Sequence, residues 1–185
     1  MPDLAGRKVA YFSFTGPIGP DQATKIAASF NGSANAQFDE VYLCLNSPGG
    51  LTGDAVFLYN LIRSLPVSVT MHNIGNVSSA AVTVFVAAEK RYCSPRGSFL
   101  IHPTTMGPFS EGMAWERLDS TLKAALAEDQ RIEDILRERT SLPTEMLSQR
   151  RVRDVTITPD FALAHGLIDE IREFTLPKGN QIFQI

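Results

Sequence analysis

The chain has 185 residues, 17 Lys+Arg against 20 Asp+Glu, a formal net charge of −3 and an apolar fraction of 44%. That length suits one domain with one sizeable core, and the weak negative charge offers no broad basic field for nucleic acid. No apolar run reaches the roughly 18 residues of a bilayer span, and the opening MPDLAGRK lacks the apolar middle of a signal peptide, so a cytoplasmic protein with no membrane contact is expected. Cys44 and Cys93 lie in apolar segments (VYLCLN and RYCSP) and are expected as buried free thiols. His72, His102 and His165 are scattered, and no Cys/His spacing fits a zinc site, so no metal is expected.

Lys8 to Phe14 (KVAYFSF) reads as a first strand, followed by the turn punctuation of Gly16-Pro17 and Gly19-Pro20. Asp21 can cap a helix carrying Ile26, Ala27 and Phe30, which Gly32 would end; 31–37 then reads as a loop. Val41 to Leu45 is a continuous apolar run of strand length, the pattern of a strand covered on both faces. After Asn46-Ser47-Pro48-Gly49-Gly50 comes a helix with Ala55, Leu58, Tyr59 and Ile62 on one face. Val67, Val69 and Met71 alternate as in a strand, which Gly75 would break. Ser78-Ser79 open AAVTVFVAA, apolar all round and hence a buried helix.

Arg91 to Cys93 and Ser98 to Ile101 read as short strands, the second ended by His102-Pro103 because proline cannot donate to a sheet. Gly112 to Thr140 is helical, with Leu118, Leu122, Ala125, Ile132 and Leu136 in one stripe that only Asp129 interrupts. Such a stripe packs either on a neighbouring subunit or on the chain's own core. Pro143 to Arg150 and Pro159 to His165 read as short helices, Ile168 to Phe174 as a last strand and Pro177 to Ile185 as a tail. Helices alternating with buried strands indicate an α/β fold in a single domain over 1–185.

Four features can carry chemistry. Successive glycines at Gly49 and Gly50, between a buried strand and a helix, let backbone N–H groups face an anion, although a plain tight turn has the same pattern. A serine just inside a helix start, Ser78 or Ser79, feels the positive end of the helix dipole, although either can simply cap the helix. His102 closes a strand, where an isolated histidine is commonly a satisfied core residue. Asp154 sits in Arg151-Val152-Arg153-Asp154, where a salt bridge to those arginines is the plain reading. The Gly-x-Ser-x-Gly elbow of α/β-hydrolases is absent.

In order, these pieces resemble the Clp protease proteolytic-subunit family. The matching stretches are VYLCLNSPGG (41–50), GNVSSAA (75–81), RYCSPRGSFLIHP (91–103) and RRVRDVTITPDFALAHGLIDEI (150–171), so that the resemblance spans about residues 8 to 173. It implies a crotonase-like fold of repeated ββα units with a protruding handle helix at about 112–140, through which two rings of subunits stack. It places the nucleophile at Ser79, the base at His102, the triad acid at Asp154 and the oxyanion hole at the N–H groups of Gly50 and Ala80. Gly49 and the stretch through Thr104, Thr105 and Met106 to Gly112 would hold a peptide as an added strand. The implied activity is a serine endopeptidase acting on peptides or unfolded segments, with no cofactor. A Clp-type ATPase is the partner the family implies. Cys44 where the family tends to have an aromatic residue, and a first strand beginning near Lys8, argue against that partnership. Three other readings use the same residues: a catalytically silent ring subunit, a crotonase-type acyl-coenzyme A enzyme, and a Ser–Lys dyad using Lys90 or Lys123.

Overall fold

The apolar runs become the central strands of one sheet in the computed structural model, which describes residues 6–107, 112 and 114–185. Strands β1 (Val9–Thr15), β2 (Glu40–Ser47) and β3 (Ser68–Ser78) lie side by side and parallel. Helices α1 (Pro20–Asn35) and α2 (Thr52–Ser64) form the crossovers between them. Both faces of β2 are covered, which is why its sequence is apolar without alternation. Cys44 is buried there and Cys93 in β4 (Lys90–Cys93); both are free thiols, and burial pushes each up to about 12.

Strand β3 serves two neighbours. Its Thr70–Asn73 stretch pairs with β4, and its Asn76–Ser78 stretch pairs with β5 (Ser98–Ile101). The expected break at Gly75 is therefore a jog within one strand. A Cβ there would lie 2.8 Å from the Asn46 Oδ1 that accepts the Asn76 N–H at 3.0 Å. The register against β2 shifts at the same level, between Leu45 and Ser47. Helix α1 also differs from expectation: Pro20 opens it and Asp21 lies in the first turn rather than capping. It runs through Gly32 to Asn35, because the buried Phe30 and Ser33 outweigh the roughly 1 kcal/mol that glycine costs a helix.

Helix α3 (Ala80–Phe85) is buried on every side, with Phe85 edge-on to Phe99 at 5.1 Å between ring centroids. Helix α4 (Trp115–Arg139) follows; Gly112 precedes it as irregular chain, while residues 108–111 and 113 lie outside the described residues. Its last turn is tied to α3. Arg139 donates from Nε to the Val86 carbonyl and from Nη2 to the Ala88 carbonyl, at 2.9 and 3.1 Å. This satisfies carbonyls just past the helix end.

Helix α5 (Thr144–Gln149) leads to β6 (Val155–Ile157), the one antiparallel strand among the described residues, which pairs with β5. Helix α6 (Pro159–Ala164) follows, and Gly166 takes the left-handed conformation (φ 64°) just beyond it. The expected last strand shrinks to β7 (Glu170–Ile171), beside β4, and the expected tail instead contributes β8 (Ile182–Gln184), parallel to β1. Among the described residues no helix is long and apolar enough to cross a membrane.

Candidate active site

Ser79 occupies the single residue between β3 and α3, with φ 57° and ψ −130°. A non-glycine residue in such a conformation stores about 1–3 kcal/mol of strain, which its surroundings must hold in place. They do so from both sides. The Ser79 N–H donates to the Leu100 carbonyl of β5 at 2.7 Å, and Gly49 packs directly beneath. A Cβ on Gly49 would lie 2.6 Å from the Ser79 Cβ and 2.7 Å from the Ser78 carbonyl oxygen. The turn is thus sharp, and the serine side chain is half-buried at the end of a strand.

The Gly49-Gly50 turn is itself fixed. Ser47 Oγ accepts the Gly49 N–H at 3.2 Å. Gly50 bridges to Ile18: the Ile18 N–H donates to the Gly49 carbonyl, and the Leu51 N–H donates to the Ile18 carbonyl. A Cβ on Gly50 would fall 2.0 Å from the Ile18 oxygen. Neither bond of this bridge uses the Gly50 N–H. Ala80 is the first residue of α3, so its N–H is one of the donors a helix start leaves without an intrahelical partner.

His102 stands one residue beyond β5, half-buried, with Nδ1 2.7 Å from the Pro103 carbonyl oxygen. A carbonyl only accepts, so Nδ1 carries the ring proton and Nε2 is left with its lone pair. Ser79 and His102 face one cavity of about 50 Å³, with Val82, Ile132 and Leu136 as its apolar wall and Gly50 at its rim. No hydrogen bond joins Ser79 to His102 among the described residues. Thr104 and Thr105 line the same cavity, whereas Met106 is exposed outside it.

Among the described residues Asp154 makes no hydrogen bond to this group, although Val155 beside it pairs with Ile101 beside His102 across β5 and β6. It is exposed just before β6, with no hydrogen bond or ion pair among the described residues. The structure therefore brings together Ser79, His102, Gly49, Gly50, Ala80 and Thr104, and leaves Asp154 in solvent. It also adds two groups that the sequence analysis did not single out. Arg150 is a wall of the cavity and is almost fully buried, and it pairs with Asp129 of α4 at 3.2 Å. Burial lowers the Arg150 guanidinium from its ordinary value, with Asp129 pulling it back up. Asp129 had one visible signal, its place as the only polar residue in the stripe; Arg150, inside a run of basic residues, had none.

The family model for Clp protease matches residues 8–174. The chain belongs to the Clp protease family. Curated members agree at a distance. The ATP-dependent Clp protease proteolytic subunit 3 of Rhizobium etli is 28% identical over 158 residues, covering 84% of this chain and 80% of that one. Proteolytic subunit 2 of Pseudomonas aeruginosa is 29% identical over 179 residues, covering 92% and 86%. Among solved structures, a mutant of ClpP1 from Listeria monocytogenes superposes with a TM-score of 0.78 at 22% identity, over 90% of this chain and 92% of that one. The fold is thus the Clp-protease, crotonase-like α/β fold, and membership of the Clp protease family supports a peptidase role. In this member two of the stretches quoted above meet in one place: VYLCLNSPGG forms β2 and the glycine turn, and GNVSSAA forms the end of β3 and the serine turn.

Proposed function

We infer that the protein is a serine endopeptidase that cleaves peptides or unfolded protein segments. The observation that carries this reading is the strained Ser79 turn, held against Gly49 and sharing a cavity with His102. In the reaction, His102 Nε2 takes the Ser79 proton as Oγ attacks a peptide carbonyl. The N–H groups of Gly50 and Ala80 receive the negative oxygen of the tetrahedral intermediate. The protonated imidazole then gives its proton to the leaving amine, and water repeats the sequence to release the acyl group. The apolar wall of Val82, Ile132 and Leu136 takes a substrate side chain, and Thr104, Thr105 and Met106 lie along the peptide.

Asp154 is the triad acid of this reading: it precedes Val155, which pairs with Ile101 beside His102, and its charge supports the imidazolium while Nδ1 donates to the Pro103 carbonyl. Helix α4 presents Trp115, Leu118, Leu122 and Leu126 to solvent, an apolar stripe that a second copy of the chain would cover as subunits assemble into stacked rings. Bond cleavage itself uses no cofactor, and small peptides need no ATPase to reach the site; the relatives named above are called ATP-dependent. One specific observation favours the silent-subunit reading, namely that among the described residues no hydrogen bond joins Asp154 to His102, whose Nδ1 is taken by the Pro103 carbonyl.

The test is a fluorophosphonate probe on the assembled protein, located by mass spectrometry, beside the Ser79→Ala variant. Label on Ser79 that the variant loses supports the peptidase. A folded, assembled protein without label sinks it and puts the silent subunit first.

A further inference from the structure

Helix α4 buries a carboxylate beside an otherwise apolar wall. Asp129 is 6% exposed, and Arg150, which meets it, is 1% exposed. One oxygen, Asp129 Oδ1, accepts four bonds. The Thr104 N–H and the Thr104 hydroxyl donate at 2.9 Å each, and Arg150 Nη1 and Nη2 donate at 3.3 and 3.2 Å. Taking such a pair out of water is costly, and two apolar residues of the same volume are often as stable or more so. Burial alone therefore gives no reason for the pair. Its geometry gives one.

The Thr104 N–H and the Pro103 carbonyl belong to the same peptide unit, which is planar, and trans because the described residues include no cis bond. The two groups point in opposite directions within that plane. Asp129 holds one side and His102 Nδ1–H donates to the other at 2.7 Å. The chain of contacts runs carboxylate, peptide, imidazole. Proline at 103 fixes its own φ, so little freedom is left between the ring and the tether. A carboxylate on the N–H side also polarises the amide and makes its carbonyl a better acceptor.

We propose that Asp129 is a positioning residue for catalysis, acting on His102 through the Pro103–Thr104 peptide so that Nδ1 holds the proton and Nε2 faces Ser79. Arg150 fixes the carboxylate in turn and ties it to the segment leading to Asp154. The proposal rests on the peptidase reading and deepens it. It gives His102 an orienting carboxylate in the arrangement where Asp154 stands in solvent.

Two charge-neutral double variants separate positioning from bulk structure. Asp129→Asn with Arg150→Met keeps an oxygen for the Thr104 N–H. Asp129→Leu with Arg150→Met keeps none, and neither leaves a buried charge unpaired. With folding checked by thermal unfolding and assembly by size, kcat and KM are measured on a small peptide ester. The leucine variant is expected to lose about 100-fold in kcat with KM within about threefold, the scale of a misplacement near 1 Å. The asparagine variant is expected to recover at least about tenfold of that loss. Equal kcat in the two folded variants, or a loss in KM alone, overturns the proposal while leaving the peptidase intact. A parent protein whose Ser79 takes no fluorophosphonate overturns both. Amide exchange of the parent needs no variant at all. Strong protection of the Thr104 N–H is expected, and exchange at the rate of an unfolded chain overturns the proposal.

Discussion

A methyl group added at Gly49 would strike Ser79, the proposed nucleophile. The added Cβ would lie 2.6 Å from the Ser79 Cβ, and Gly49 itself has φ 96°, so Gly49→Ala is strained in both backbone and packing. We expect it to lose at least about 100-fold in Ser79 labelling and about 1–3 kcal/mol of stability, read from labelling rates and urea midpoints. His72 makes a second prediction. It is fully buried, accepts from the Tyr42 hydroxyl at Nδ1 (2.8 Å) and donates from Nε2 to the Arg172 carbonyl (3.0 Å), which fixes a neutral ring. Burial depresses its pKa to about 4 from 6.5. The unfolded chain therefore binds a proton more readily. The stability tied to this ring is complete above pH 6.5 and declines as pH falls toward 4, by about 3 kcal/mol across that window. Between pH 7 and about pH 4.5 the urea midpoint should fall further for the parent than for His72→Gln, and equal falls would refute the assignment. His102 and the two glycines stood out because each sits at a change of secondary structure, whereas the same pattern left Ser78 and Ser79 open and the family resemblance made the choice. The tautomer of His102 was not legible, since it depends on which carbonyl the ring meets.

Helix α4 divides at its middle. Its first half leaves Trp115 73% exposed, with Leu118, Leu122 and Leu126 beside it, while its second half buries Ile135 and Leu136. Packing on the chain's own core thus holds for the second half, while the first half is left exposed, as the proposed subunit contact requires. Burial works to raise Glu133 of the same helix, but bonds from Arg137 and Arg151 outweigh it and hold its carboxyl below the usual range. Under the ring reading, Leu122→Asp is expected to lower the association state without changing the unfolding temperature of the free subunit. Sedimentation decides it, and an unchanged assembly would move the interface elsewhere. Each buried leucine is worth about 1.5–3 kcal/mol, so one charge in the stripe should suffice. The sequence periodicity showed the helix and its apolar face. It could not show that Asp129, which breaks the stripe, would be buried, because its partner Arg150 lies beyond the end of a different helix.

Across the molecule, local pattern served well where a segment's neighbours are close in sequence. The runs at 41–45 and 80–88 are buried as their composition requires. It served less well where distant segments meet. The jog at Gly75 depends on Asn46, the strand β6 on its pairing with β5, and the position of Asp154 on the turn after α5. The pairing of β8 with β1 is the extreme case, joining Tyr11 to Ile182 across nearly the whole chain. Closing so long a loop carries an entropic penalty that no local contact offsets, which places this pairing late in folding. Until then the outer rim of β1 is an open row of amides and carbonyls, with Phe12 awaiting Phe183. Refolding yield should therefore fall with concentration, as chains meet each other's rims before residues 182–184 arrive.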